Sequence, residues 1–323
     1  MPNGWKMYKE FYGFSEEPFT LNPDPRFFFL TESYKEVLDS LIYEIGERNG
    51  FVLITGEMGI GKTTFIHQLL PMFDPKIRPI PIYHPPESFD ELLRVILEEL
   101  NLPLGERDRN SMTSQLNEYL YQRSTQEETL VIIVDEAQDL TKEIMEDLRL
   151  LCNPDPRRPK LIKQVLVGQP EIEENLNAMD LMQVNQRIAV RHRLKPLSEE
   201  ESWHYIEHRL KKVGSSSFEI YTPEALSLIC YHAKGSPRDI HLICYLTFCA
   251  GYALSKKKID TPVVEKVISI LGRRKPSMPQ RIKTSMDGIL DRNGPLIIQI
   301  SLSLLVYSLI VWIIFLFLSL KLK

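Results

Sequence analysis

The stretch Gly56-Glu57-Met58-Gly59-Ile60-Gly61-Lys62-Thr63 constrains this chain more than any other feature. It fits the pattern G-x-x-x-x-G-K-[ST] and stands between the apolar run Phe51–Thr55, read as a buried strand, and Thr63–Met72, read as a helix. The spacing has a physical reason. Glycines let successive backbone N–H groups turn inward around phosphate oxygens, and the positive end of the next helix faces the same point. Lys62 then reaches the outer phosphates and Thr63 offers a hydroxyl to Mg²⁺, with Thr64 completing the set. Residues 56–64 are therefore candidate ligands of ATP.

A second run, Leu130-Val131-Ile132-Ile133-Val134, is apolar without alternation, as expected of a central parallel strand covered on both faces. It ends in Asp135-Glu136. At the carboxyl edge of a sheet Asp135 can hold the magnesium shell, and Glu136 can orient an attacking water. Further runs at Ile77–Tyr83 and Leu161–Val167 read as strands, while Phe89–Leu100, Ser111–Arg123 and Ile144–Cys152 read as helices. Strands separated by helices predict an α/β fold with a mainly parallel sheet.

Around this core the chain divides by composition. Residues 1–31 combine prolines with many aromatic residues, among them Tyr8, Phe11, Tyr12, Phe14, Phe19 and Phe27, and predict an arm strapped onto a surface. Thr31 caps an amphipathic helix over Glu32–Glu47, which opens the ATPase core of residues 32–196. After Pro196 only helices are predicted, at Ser198–Val213, Pro223–Ala233, Pro237–Leu254 and Pro262–Leu271, giving a small all-helical second domain over 197–272. A basic linker follows at 273–295. Leu296–Leu320 then holds no charged side chain and spans about 37 Å as a helix, more than the ~30 Å apolar thickness of a bilayer, so it predicts a single transmembrane helix.

Charge sharpens the division. The whole chain is −4, whereas residues 1–272 carry −10, an acidic balance that argues against a nucleic-acid partner. The basic linker before the span puts the ATPase side in the cytoplasm by the positive-inside rule. Cys152, Cys230, Cys244 and Cys249 show no metal-ligand or C-x-x-C spacing and read as buried thiols in a reducing compartment. No apolar signal core stands at the N-terminus.

Several polar residues are left without a role by spacing alone. Gln169 follows the strand Leu161–Val167 and would reach the same sheet edge, close to the γ-phosphate or the water. Gly235-Ser236-Pro237-Arg238 opens a helix of the second domain that could carry Arg238 over the nucleotide or leave it a helix-surface charge. Arg187, Arg191 and Arg193 cluster just before that domain, as a salt-bridged surface or a phosphate-reaching set.

These motifs together resemble the general-secretion-pathway A-type (ExeA-like) AAA+ ATPases, including relatives associated with exopolysaccharide and exosortase systems. The resemblance runs over roughly residues 8–270. It is carried by YKEFYGFSEEPFTLNPDPRFFFL at Tyr8–Leu30, the loop Gly56–Thr63, VDEAQDL at Val134–Leu140, VLVGQPE at Val165–Glu171, QRI at Gln186–Ile188 and GSPRDI at Gly235–Ile240. It implies a P-loop AAA+ core with a helical lid, with Lys62 and Thr63 in Walker A and Asp135 and Glu136 in Walker B. By the same resemblance Gln169 is sensor 1 and Arg238 is sensor 2. Arg187 is the finger that reaches a neighbouring subunit of a homo-oligomer, with Arg191 as second choice. This sequence departs from the family pattern in having Tyr34 where a histidine is usual, and glutamine rather than Asn or Thr at sensor 1. The secretion relatives continue past the membrane into a cell-wall-binding region, and this sequence runs three residues past the apolar segment.

The expectation is an inner-membrane, single-pass ATPase, cytoplasmic in its motor, that serves an envelope secretion or polysaccharide-export partner. The alternatives are a DNA-binding transposition helper and a slowly hydrolysing nucleotide switch.

Overall fold

Phe51–Thr55 (β1) is buried at every position, which is what a strand needs when helices cover both faces of its sheet. The computed structural model describes residues 4–20, 24–47, 51–104, 108–124, 128–152 and 162–272. The expected linker and the apolar segment Leu296–Leu320 lie outside them, and among the described residues no helix is long and apolar enough to cross a membrane.

The chain enters through α1 (Gly4–Tyr12) and α2 (Glu32–Glu47). After β1 it alternates through α3 (Lys62–Leu69), β2 (Ile77–Ile82), α4 (Phe89–Glu99), α5 (Arg109–Ser124) and β3 (Thr129–Val134). Then come α6 (Lys142–Leu151), β4 (Ile162–Gly168), α7 (Glu171–Leu176), α8 (Met182–Asn185) and β5 (Ile188–Arg193). The strands order as β2-β3-β4-β1-β5, and every pairing is parallel. One face of the sheet packs Val52, Ile54, Val131 and Val165 against Leu38, Leu41 and Ile45 of α2 and Phe65 and Ile66 of α3. The other packs Leu53, Ile132 and Leu166 against α4 to α8. The α/β core with a parallel sheet is thus as the hydrophobic runs predict.

Two departures have local causes. The helix expected over Thr63–Met72 ends at Leu69, and Leu70–Met72 tightens into a 3₁₀ turn, because Pro71 has no N–H to continue the α ladder. The arginine-rich stretch read without a strand is β5. Ile188, Val190 and His192 are its half-buried alternates and Arg191 and Arg193 its exposed ones. At the opposite edge, the Ile82 carbonyl accepts from the Asp135 N–H at 2.8 Å. By alternation Ile80 and Ile82 face β3 and Pro79 and Pro81 face outward, where neither supplies an N–H.

Past Leu194 the chain is helical: α9 (Glu199–Lys212), α10 (Ser217–Ile220), α11 (Pro223–Ala233), α12 (Pro237–Ala253) and α13 (Thr261–Ile270). Ser198 opens α9 with a full capping box to Glu201, and Ser216 does the same with Glu219. Thr222 and Ser236 cap α11 and α12 just before a proline in the first turn. One parallel bridge, Tyr221 to Ile259, adds a strand-like contact where the sequence reading has helices alone. Cys230 and Cys244 are buried here, and burial pushes the Cys230 thiol up to about 12.

The arm packs on these helices. Tyr8, Tyr12, Phe14 and Phe19 surround Phe248 of α12, with ring centroids 5.9, 5.4, 5.2 and 5.8 Å from it. The Tyr12 hydroxyl donates to the Lys256 carbonyl at 3.0 Å. Gly251 makes room for it, since a Cβ there would lie 2.2 Å from the Tyr12 oxygen. The amphipathic start of the arm is a helix, α1, which its aromatic and proline content hides from a local reading.

Candidate functional site

At the carboxyl end of β1 the chain turns through Gly59 and Gly61, whose φ angles are +80° and +100°, a region glycine enters without the steric cost other residues meet. Gly61 is the N-cap of α3 and supplies no side-chain cap. The first-turn N–H groups of α3 therefore keep their donor capacity toward the loop interior. Lys62 is buried there, and its ammonium donates to the carbonyls of Gly56 at 3.0 Å and Glu57 at 3.4 Å.

Asp135 follows β3 at the same sheet edge and is 2% exposed. Its Oδ2 accepts from the Thr63 hydroxyl at 2.6 Å, and its Oδ1 accepts from the Glu136 N–H at 2.9 Å. Burial raises its pKa; the two hydrogen bonds and Lys62 work against that, and Glu136 adds to it. A buried carboxylate in contact with a hydroxyl is a hard-oxygen donor pair, and a cation would relieve the cost of its charge. Thr63 and Asp135 thus fit Mg²⁺, which binds proteins through one or two carboxylates and completes its shell with water and phosphate. Among the described residues no group of three or more His, Cys, Asp or Glu is arranged to hold a metal without a ligand's help.

A cavity of about 360 Å³ opens over this edge. Gly59, Ile60, Gly61, Lys62, Thr63 and Thr64 line it, together with Glu136 and Arg238. Gly56, Glu57 and Met58 of the loop are not in its lining, and Met58 is 66% exposed. Arg238 sits in the first turn of α12, and its backbone N–H donates to the Gly59 carbonyl at 3.2 Å. A Cβ on Gly59 would come within 3.0 Å of Ser236 Oγ and Arg238 Cβ, so the glycine lets the lid approach the loop.

The other expected residues stand outside the cavity lining. Gln169, half-buried at the end of β4, has its N–H bonded to Gln138 Oε1 at 2.9 Å. Arg187 is exposed between α8 and β5, and its carbonyl accepts from the Phe51 N–H. Arg191, exposed on β5, is bonded to Asn185. Arg193 is the member of the cluster that touches the loop, pairing with Glu57 at 3.2 Å with both side chains exposed.

The remaining walls come from residues that sequence reasoning misses. Phe27, Phe28 and Phe29 of the arm, Tyr34 of α2, and Tyr205, Arg209 and His241 of the lid line the cavity. Tyr34 donates its hydroxyl to the Ile60 carbonyl at 2.8 Å and so braces the phosphate loop. Arg209, 4% exposed, donates through Nε to the Pro18 carbonyl at 2.5 Å and through its terminal nitrogen to the Tyr205 oxygen at 3.2 Å. The Tyr205 hydroxyl meets His241 Nε2 at 2.6 Å, and His241 Nδ1 meets the Thr20 carbonyl at 2.7 Å. The acceptor at Thr20 requires the imidazole proton on Nδ1, so Tyr205 donates to Nε2. Burial and then Arg209 push His241 down to about 3, which keeps it neutral. The aromatic composition of the arm is the signal for part of this wall; the lid residues carry none.

An all-parallel sheet with a phosphate loop after one strand, an Asp-Glu pair after another and a helical lid defines the AAA+ class of P-loop proteins. In agreement, residues 45–176 match the AAA domain family. More particularly, the chain is 35% identical over 254 residues to general secretion pathway protein A of Aeromonas hydrophila, across 78% of this chain and 46% of that one. The chain thus carries an AAA domain and is similar to that protein, and the ExeA-like resemblance holds. It is also 23% identical over 196 residues to an uncharacterized HTH-type transcriptional regulator of Methanocaldococcus jannaschii, covering 60% of this chain and 42% of that one. The chain spans less than half the length of both relatives.

Among solved structures, the Aeropyrum pernix ORC2 protein in its ADPNP–ADP complexes superposes with a TM-score of 0.62 at 17% identity, over 80% of this chain and 72% of that one. CDC6P of Pyrobaculum aerophilum gives 0.59 at 16% identity, over 81% and 70%. The Thermotoga maritima RuvB Holliday junction branch migration motor gives 0.51 at 18% identity, over 75% and 70%. These likenesses concern the fold.

Proposed function

We propose that this chain binds ATP with Mg²⁺ and hydrolyses it, and that the resulting motion of the lid serves an envelope secretion or polymer-export assembly. The observation that carries the reading is the convergence of Lys62, Thr63 and Glu136 on one cavity, with Asp135 bonded to the Thr63 hydroxyl behind its lining. Lys62 neutralises charge on the outer phosphates, and the first-turn N–H groups of α3 hold them. Thr63 and Asp135 would hold Mg²⁺, which when bound would offset the negative charge of the phosphates. Glu136 orients a water whose oxygen bonds to the γ-phosphorus as the bond to the β–γ bridging oxygen breaks, and it takes the water's proton. Arg238 follows the lid as it closes on the γ-phosphate, Gln169 reports the same phosphate from β4, and Arg187, or else Arg191, completes a neighbour's site.

The basic linker and Leu296–Leu320 anchor the ATPase to the bacterial inner membrane, with the motor in the cytoplasm. The name of the Aeromonas relative supports a secretion role, and the −10 balance of residues 1–272 favours protein partners over DNA. In the test, Lys62→Ala weakens ATP binding or abolishes turnover, whereas Glu136→Gln keeps ATP bound and loses hydrolysis. Normal phosphate release by the Glu136 variant would remove that carboxylate from the mechanism. For the anchor, full-length chain should float with inner-membrane vesicles and resist carbonate extraction, and recovery in the soluble fraction would count against it.

A further inference from the structure

Between the Walker B carboxylate and the end of β4 lies a side chain to which the reading above gives no role. Gln138 directs its amide nitrogen to Glu136 Oε2 at 2.9 Å and, at 3.3 Å, to Asp139 Oδ2. Its amide oxygen accepts the Gln169 N–H at 2.9 Å. The orientation is dictated by its surroundings, because a flipped amide would set its oxygen against two carboxylates and its nitrogen against a donor. Gly168 makes the seat: a Cβ there would lie 2.9 Å from Gln138 Oε1 and 3.3 Å from the Gln138 backbone nitrogen. The carbonyl of the same glycine accepts from the N–H of Gly56, the first residue of the phosphate loop, at 3.1 Å. A continuous path therefore runs from the loop through Gly168 and Gln169 to Gln138 and Glu136. Glu136 itself sits at φ 49°, on a turn, where no helix or strand restrains its side chain.

We propose that Gln138 is a positioning residue, which fixes one carboxylate oxygen of Glu136 so that the other faces the attacking water, and which ties that orientation to the end of β4. The inference rests on the hydrolytic role of Glu136. A carboxylate released from the amide would sample several rotamers, and displacement of a reacting group by about 1 Å can cost on the order of 10²-fold in rate. Gln138 does not line the cavity, so binding is spared.

The test is a set of full-length variants assayed for ATP affinity and steady-state turnover. Gln138→Met keeps the volume and removes all three side-chain hydrogen bonds, and Gln138→Ala removes the side chain. Both should lower kcat by about 10- to 100-fold with the ATP Kd within about threefold of wild type. Gly168→Ala should lower kcat in the wild-type background by pressing on the amide oxygen, and should add about twofold or less in the Gln138→Ala background, where that oxygen is gone. A general packing role would make the two losses multiply. Gln138→Glu sets a third carboxylate beside Glu136 and Asp139, and should move the acidic limb of the kcat–pH profile upward. If Glu136→Gln is inactive while both neutral Gln138 variants turn over normally or faster, the positioning role falls and the ATPase reading stands. If Glu136→Gln turns over normally, both fall.

Discussion

At the level of single residues, His241 shows how a buried network fixes a protonation state. Its imidazole is held down to about 3 by burial and by Arg209, against an unfolded value of about 6.5. Below pH 6.5 the unfolded chain takes up a proton that the native chain refuses, so stability rises with pH through this window and is lost as pH falls toward 3. The slope from this one group is at most about 1.4 kcal/mol per pH unit, reduced by the water that enters the cavity. Melting temperature should therefore fall less steeply between pH 6 and pH 4 in His241→Gln than in wild type. Equal slopes would mean the histidine takes up its proton without unfolding the lid. None of this is legible in GSPRDIHL: the partners of His241 are Thr20, 221 residues away, and Tyr205, 36 residues away. The phosphate loop and Asp135 are legible because their chemistry lies in contiguous residues. Gln138 stands in the quoted motif VDEAQDL, yet its acceptor role toward Gln169 becomes visible only when β3 and β4 lie side by side.

Elements follow the same division between local and distant causes. Strands β1 and β3 read directly from unbroken apolar runs, and lid helices α9, α11 and α12 from their caps and prolines. Strand β5 was hidden because its exposed alternates are arginines and its inward ones include a histidine. Helix α1 was hidden because what holds it is Phe248, more than 230 residues downstream. That ring is fully buried and touches four arm aromatics, so Phe248→Ala should cost about 3–5 kcal/mol of stability. Beyond the lower melting temperature, the arm should become sensitive to proteolysis before the sheet does. Simultaneous cleavage throughout the chain would show that arm, lid and core unfold as one unit.

For the whole molecule, Arg187 before β5 and Arg191 within it bear on assembly. Neither Arg187 nor Arg191 lines the cavity of its own chain. If either completes a neighbour's site, specific ATPase activity rises with protein concentration. Arg187→Ala should then bind ATP normally and hydrolyse it poorly. Mixed with Lys62→Ala it should recover part of the activity, since one variant keeps the loop and the other keeps the finger. A guanidinium supplied in this way is worth ~10³–10⁵ in rate in other nucleotide hydrolases. Activity independent of concentration, together with a fully active Arg187 variant and a fully active Arg191 variant, would return both arginines to the surface.

The prolines of β2 limit how such an assembly can grow. An open sheet edge is a template for any extended strand that meets it. Pro79 and Pro81 leave the β2 edge with acceptors and no matching row of donors, so a second chain can gain few ladder bonds there. In the proposed homo-oligomer, copies of this chain would meet often enough for sheet-to-sheet fusion to compete with functional contacts. Blocking one edge leaves side-chain contacts to decide the contact geometry, and those can be released after each turnover, whereas a continuous backbone ladder could not. A chain that assembles through side-chain contacts thus has a reason to carry proline where a strand former would otherwise fit.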